Sequence, residues 1–183
     1  MFAYGDSKAA GYTSTLMNSL NALPLYPTAT NAGHDDLSLA NYTVAQLAAR
    51  VVSDLSSRPA MDGMSYQNVL ITVGANDVAA LPAQATWEAD MATLLDAINA
   101  KWPTARVFVA NAWRRNYGAQ CDTIAGWLNN VLATRGAWAF VGPDERVYLE
   151  NGDDGATYTT DGVHPNTAGY ILAAAQWQTV LGY

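Results

Sequence analysis

Three short tracts carry residue types suited to nucleophilic catalysis. Gly5-Asp6-Ser7 places a hydroxyl directly after an apolar tripeptide, Phe2-Ala3-Tyr4, and directly before a segment of helical spacing. A Ser at such a junction lies near a helix N-terminus, whose partial positive charge favours a developing anion. Gly74-Ala75-Asn76-Asp77 follows the most β-branched stretch of the chain and presents a side-chain amide, a donor suited to an oxyanion. Asp161-Gly162-Val163-His164-Pro165-Asn166 stands just before the last helical segment. An Asp and a His three apart in a loop bring a carboxylate to one ring nitrogen and leave the other to take a proton from a Ser. The carboxylate then fixes the tautomer and stabilises the imidazolium. Singly, the first two tracts also read as a helix cap and a turn, because Ser caps helices and Gly, Asn and Asp populate turns. The third is the most specific.

These residues need a frame that brings positions 7, 76 and 164 together. Short apolar runs alternate with longer stretches of helical spacing, the mark of an α/β domain. Strands are expected at 2–4, 36–40, 68–73, 107–110 and 137–141, with 68–73 apolar enough for burial on both faces. Helices are expected at 8–23, closed by Pro24 and Pro27, and at 44–55, where Val44, Leu47, Ala48, Val51 and Leu55 share a face. A third carries the stripe Trp87, Met91, Leu94, Leu95, Ile98 and Trp102 and ends at Pro103. Two more are expected at 122–135 and 167–181. Strand–helix units in series demand parallel strands with right-handed crossovers, so helices cover both faces of the sheet. The expected architecture is a three-layer α/β/α sandwich of about five parallel strands in flavodoxin-like order. It forms a single domain over 1–183, and its chemistry lies at the carboxyl ends of the strands.

With these three tracts the chain resembles the SGNH/GDSL hydrolase superfamily. That family carries Gly-Asp-Ser near its N-terminus, Gly-X-Asn-Asp after the third strand and Asp-X-X-His-Pro before the last helix. All three occur here in that order and span nearly the whole chain. The resemblance implies Ser7 as nucleophile, His164 as base and acid, and Asp161 as the group that orients it. It also implies an oxyanion hole made by the Ser7 backbone N–H and the Asn76 amide. The family has a Gly after the second strand as a further N–H donor, and here that point falls on Asn41. Asn is the non-Gly residue that best tolerates a left-handed backbone, and only its N–H is required. Asp36 or Gly33 takes the role if the loop aligns differently. Asn41-Tyr42-Thr43 also spells a glycosylation sequon, read as coincidence because a glycan there obstructs the site. A Gly-X-Ser-X-Gly elbow is absent, which argues against the α/β-hydrolase fold.

The chemistry so implied is acyl transfer to Ser7 and then to water, and it needs no metal or organic cofactor. Few residues remain for a lid over a long acyl chain, which favours short acyl groups such as acetyl. Trp113-Arg114-Arg115-Asn116-Tyr117 should lie beside the site, with Trp113, Arg114 and Tyr117 as candidate substrate-binding residues. Aromatic faces with adjacent donors suit sugar rings, and the Arg pair suits an acidic group. The plainer reading is that Trp113 covers the sheet edge and the Arg pair is solvated. The substrate is thus a small-molecule or carbohydrate ester. Arylesterase, thioesterase and lysophospholipase activities are the alternatives within the family. A non-catalytic carbohydrate-binding module excised from a larger protein is the alternative from another class, supported only by the abrupt start before the first strand.

Composition narrows the rest. Nine Lys and Arg against sixteen Asp and Glu leave a net charge of −7, a poor match for nucleic acid or an anionic membrane surface. No apolar run approaches the ~18–20 residues of a membrane span. The chain is expected to be soluble, either cytoplasmic or secreted with its leader absent, and its oligomeric state stays open. One Cys, Cys121, excludes a disulfide within the chain and reads as a structural thiol. His34-Asp35-Asp36 lacks metal-ligand spacing, and Asn151-Gly152-Asp153-Asp154-Gly155 lacks the remaining ligands of a Ca²⁺ loop. With only two His, the one in the Asp-X-X-His tract is the sole well-placed general base.

Overall fold

Five parallel strands in the order β2-β1-β3-β4-β5 form the sheet. The structure, a computed structural model, describes residues 2–6, 8, 35–39, 41–56, 68–150, 152 and 155–182. The strands are β1 (Phe2–Asp6), β2 (Asp35–Leu39), β3 (Asn68–Thr72), β4 (Arg106–Asn111) and β5 (Ala139–Asp144). From β1 the chain crosses to β2 on one side, then returns to β3 on the other. The crevice at the carboxyl ends of β1 and β3 is therefore the topological switch point, where open α/β sheets place their ligands. Asn76 follows β3 and belongs to this crevice by connectivity alone, while Gly5 and Asp6 end β1 beside it.

β3 is central because its Val69-Leu70-Ile71 run is buried on both faces, as the unbroken apolar pattern requires. Helix α1 (Val44–Ser56) turns Val44, Leu47, Ala48, Val51 and Leu55 inward and packs against α3 (Gln84–Lys101), which in turn packs on α4 (Gly118–Ala133). In α3 the buried stripe is Trp87, Met91, Leu94, Leu95 and Ile98; Trp102 closes it, and Pro103 cannot continue it. Helix α6 (Thr167–Leu181) lies on β5, where the Trp177 ring fills the space above Gly142. A Cβ at Gly142 would stand 2.9 Å from that ring and from the Val109 main chain, so Gly is required there by packing rather than by backbone angle. Layers of helix, sheet and helix follow, as the strand–helix alternation predicts.

Several boundaries differ from expectation. β5 begins at Ala139, because Ala137 and Trp138 belong to a turn in which the Trp138 and Ala139 N–H groups both donate to Arg135 O. The strand continues to Asp144, which pairs with Asn111 across a bulge. Helix α4 begins at Gly118, four residues earlier than expected, since Cys121 already belongs to its buried face. Two short helices also appear, α2 (Ala75–Ala80) and α5 (Glu145–Leu149). The first occupies a tract whose Gly, Asn and Asp content reads as a turn, and the second is a single short turn of helix capped by Asp144. The expected helix over 8–23 falls outside the described residues except for Lys8.

Candidate active site

Residues 157–166, between α5 and α6, form a loop stapled to itself. Thr159 and Pro165 make an antiparallel bridge, and the Thr160 N–H donates to His164 O at 2.9 Å. Asn166 accounts for the exit: its amide donates to Thr157 O at 2.8 Å, while its carbonyl oxygen caps α6 by accepting the Gly169 N–H. Gly162 has φ +81°, and a Cβ there would stand 2.6 Å from Arg115 Cδ. The close approach is needed because the Arg115 N–H donates to Gly162 O at 2.8 Å. The loop is thus fastened to the exit of β4.

This stapling presents Asp161 and His164 to each other. Asp161 Oδ2 lies 2.7 Å from His164 Nδ1, while Oδ1 accepts the main-chain N–H groups of Val163 and His164 at 2.9 and 2.8 Å. Partial burial pulls the Asp161 carboxyl upward. The hydrogen bonds from the His164 main chain, the His164 ring and the Val163 N–H outweigh it and hold the pKa at about 2. The carboxylate is ionised at any ordinary pH, as a group that orients an imidazole must be.

Across the crevice, α2 begins at Gly74, whose φ of +114° turns the chain sharply out of β3. Asn76 and Asp77 in its first turn both grasp the segment that enters α1. The Asn76 amide donates to Tyr42 O at 3.0 Å, and the buried Asp77 carboxylate accepts the Val44 N–H at 3.1 Å. One hydrogen of the Asn76 amide is so used, and the other has no partner among the described residues. Asn41, one residue before Tyr42, is exposed and takes a left-handed backbone with φ 66°. Asp36 lies inside β2, opposite Ala3, and not at the strand's carboxyl end. That removes it as an alternative oxyanion donor, whereas Gly33 lies outside the described residues.

Burial raises the Asp77 carboxyl from 3.8 to about 6 and outweighs the Val44 N–H that lowers it, with the nearby Asp90 adding to the rise. A carboxyl that binds its proton more tightly when folded adds stability at low pH, and that stability is lost as pH rises through the folded value. Asp77→Asn keeps the acceptor for Val44 and removes the titration. The variant is expected to gain stability relative to the parent between about pH 4 and 6, read by urea unfolding at several pH values. A constant difference across that window would contradict this assignment. Asp161 works in the opposite sense, losing its contribution only as pH falls from 3.8 toward about 2, so the two windows separate.

Ser7 itself lies outside the described residues, but Lys8 is held deep in the molecule. Its side chain is 1% exposed, and Nζ donates to Glu145 Oε2 at 2.6 Å and to Trp113 O at 2.7 Å. Glu145, 2% exposed in the first turn of α5, also accepts the Trp113 N–H at 2.9 Å. One buried ion pair thereby ties the residue after Ser7 to the exits of β4 and β5. The sequence reading missed both Lys8 and Glu145 as positioning groups. A lysine abutting a candidate nucleophile at a strand–helix junction was the available signal, since such a charge is buried only with a partner.

The substrate-binding expectation needs correction at Trp113. Its side chain is only 2% exposed, and a Cβ on Gly155 would stand 2.3 Å from its ring. It is a core residue whose main-chain polar groups are occupied by Lys8 and Glu145, and no sugar ring can stack on it. Arg114 and Tyr117 remain half-buried beside the site, with the guanidinium 5.5 Å above the Tyr117 ring and Nη1 3.4 Å from Ala75 O. Of the other Trp residues, 87, 102 and 177 are buried, and 127 and 138 pack against the core. Cys121 is buried, and burial raises its thiol pKa, which suits a structural role. Among the described residues no group of three His, Cys, Asp or Glu is placed to hold a metal ion, and no helix is long and apolar enough to cross a membrane.

The sequence pattern of the GDSL-like Lipase/Acylhydrolase family matches residues 3–172, nearly the whole chain. The chain belongs to this family. As a GDSL member it is a serine esterase, and the tracts Gly5–Ser7, Gly74–Asp77 and Asp161–Asn166 lie inside the matched span. Curated proteins provide no match. Solved structures of similar fold include the acetyl xylan esterase AlAXEase, 14% identical with a TM-score of 0.76, covering 99% of this chain and 100% of the other. The psychrotrophic esterase EstA from Pseudoalteromonas sp., inhibited by monoethylphosphonate, is 15% identical with a TM-score of 0.74, covering 98% and 94%. A family two carbohydrate esterase from Clostridium thermocellum, in complex with cellohexaose, is 14% identical with a TM-score of 0.74, covering 99% of this chain and 64% of the other. At such identities the likeness concerns the fold.

Proposed function

We infer that this GDSL esterase hydrolyses short-chain acyl esters, acetyl esters above all and those on carbohydrates among them, through Ser7, His164 and Asp161 in one catalytic domain. The observation that carries the reading is the Asp161–His164 contact of 2.7 Å on a stapled loop at the carboxyl edge of the sheet. Support for the acyl group and alcohol comes from fold relatives that include an acetyl xylan esterase and a carbohydrate esterase.

In this mechanism the Ser7 hydroxyl oxygen attacks the ester carbonyl carbon while His164 Nε2 accepts its proton. The carbonyl oxygen becomes an oxyanion facing the Ser7 N–H, the free hydrogen of the Asn76 amide and the Asn41 N–H. Collapse breaks the bond to the alcohol oxygen, which takes the proton from His164. Water then repeats the sequence on the acyl-enzyme, and the acid leaves.

Losing one oxyanion donor typically costs ~2.7–4 kcal/mol of transition-state stabilisation. Asn76→Ala is expected to reduce kcat for 4-nitrophenyl acetate by about 10²–10³, with KM little altered. Near-parental turnover in a folded Asn76→Ala variant would remove Asn76 from the hole. The acyl preference is tested by kcat/KM on 4-nitrophenyl acetate, 4-nitrophenyl octanoate and acetylated xylo-oligosaccharide. Acetate is expected to exceed octanoate, and the reverse order would overturn the short-acyl assignment.

A further inference from the structure

We propose that Arg114 recognises a carboxylate carried by the ester, so that the preferred substrates are acidic esters; this deepens the esterase reading above and rests on it.

Arg114 leaves a main chain fixed on every side. The preceding residue, Trp113, has its N–H and C=O held by the buried Glu145 and Lys8. The following residue, Arg115, donates its N–H to Gly162 in the Asp161–His164 loop, and the Arg114 carbonyl accepts the Tyr117 N–H at 3.2 Å. The guanidinium lies over the Tyr117 ring and reaches Ala75 O, the residue before Asn76. Arg114 therefore stands between the expected oxyanion donor and the loop that carries the general base.

Its donors are nearly unused. A guanidinium has five N–H groups in a planar fork, and among the described residues its one acceptor is Ala75 O, at a long 3.4 Å. No carboxylate pairs with it among the described residues, although the chain has sixteen acids and nine bases. Arg50, Arg135 and Arg146 each hold an Asp. A half-buried cation left without an anion in an acidic protein is a site for an anion from outside. The ring beneath it pre-orients the fork, and a planar fork fits a carboxylate through two parallel hydrogen bonds. The net charge of −7 disfavours polyanions and leaves a singly charged carboxylate as the suitable partner.

The carboxylate can lie on the alcohol or on the acyl side of the ester. The alcohol side is tested with 3- and 4-acetoxybenzoate against their methyl esters, and the acyl side with mono-4-nitrophenyl glutarate against 4-nitrophenyl pentanoate. For each pair the readout is the ratio of kcat/KM, charged over neutral, in the parent, Arg114→Gln and Arg114→Lys. On at least one side the ratio is expected to fall about 10- to 100-fold in Arg114→Gln, with partial recovery in Arg114→Lys. A purely structural role slows both members of a pair alike, so ratios unchanged on both sides overturn the proposal. Binding is read separately by calorimetric titration of 3-hydroxybenzoate, for the alcohol side, and of monomethyl glutarate, for the acyl side, into Ser7→Ala, with and without Arg114→Gln. Affinity for at least one of the two is expected to fall at least tenfold in Arg114→Gln, and affinity independent of Arg114 for both overturns the proposal. If neutral esters show no Ser7-dependent hydrolysis while this binding difference holds, the esterase assignment of Ser7 fails and the carboxylate site stands.

Discussion

His164→Ala is expected to lower kcat on an acetyl ester by on the order of 10⁶, leaving KM little changed and the fold intact. The size follows from the two jobs proposed for the single His164 ring, accepting the Ser7 proton and later delivering it to the leaving alcohol. His34 is the only other imidazole in the chain. The His164 side chain is 39% exposed, so the loss of stability is expected to be small beside the loss of activity. Asp161→Asn is expected to cost less, on the order of 10⁴. Asn retains one oxygen for the Val163 and His164 N–H groups that Oδ1 now accepts. Its NH₂ then faces His164 Nδ1, which holds the proton on Nε2, the position that must accept from Ser7. Steady-state kinetics of the two variants on 4-nitrophenyl acetate check both values. Losses below tenfold in either variant would contradict the assigned roles.

The second large effect concerns stability. Lys8→Met is expected to destabilise the protein by about 3–5 kcal/mol, because among the described residues it leaves the buried Glu145 carboxylate the Trp113 N–H alone to offset its charge. For a chain of this size that corresponds to a fall in Tm of roughly 6–20 °C. Glu145→Met removes the buried carboxylate that pairs with the Lys8 ammonium and is expected to be destabilising as well. The double variant removes both charges together and is expected to recover part of the loss, since apolar side chains of similar volume often replace a buried pair at little cost. Thermal unfolding of the four proteins gives the coupling between the two sites. Additive single losses would show that the pair is not closed in the folded protein.

The legibility of the molecule in its sequence divides by kind of interaction. The strand around Val69-Leu70-Ile71 and the helical stripe from Trp87 to Ile98 were readable, because burial there follows a simple period. The pairing of Asp161 with His164 was readable too, since the two are three residues apart and a local loop suffices to join them. A left-handed Asn41 followed from the tolerance of Asn for that backbone, and the structure has φ 66° there. What escaped depends on distant partners. Lys8 meets Glu145 across 137 positions, and Asp77 reaches Val44 across 33, so neither pairing leaves a periodic trace. Trp113 was misjudged for the same reason. Its loop position suggested exposure, whereas contact with Gly155 and the fixing of its main chain place it in the core.

The nucleophilic role proposed for Ser7 is open to direct chemical labelling. Treatment with diethyl 4-nitrophenyl phosphate followed by peptide mapping by mass spectrometry addresses it directly. One diethylphosphoryl group per chain is predicted, located on Ser7, with loss of activity in parallel and little labelling in His164→Ala. A label on another residue that tracks the loss of activity, or full inactivation with Ser7 unmodified, would contradict it.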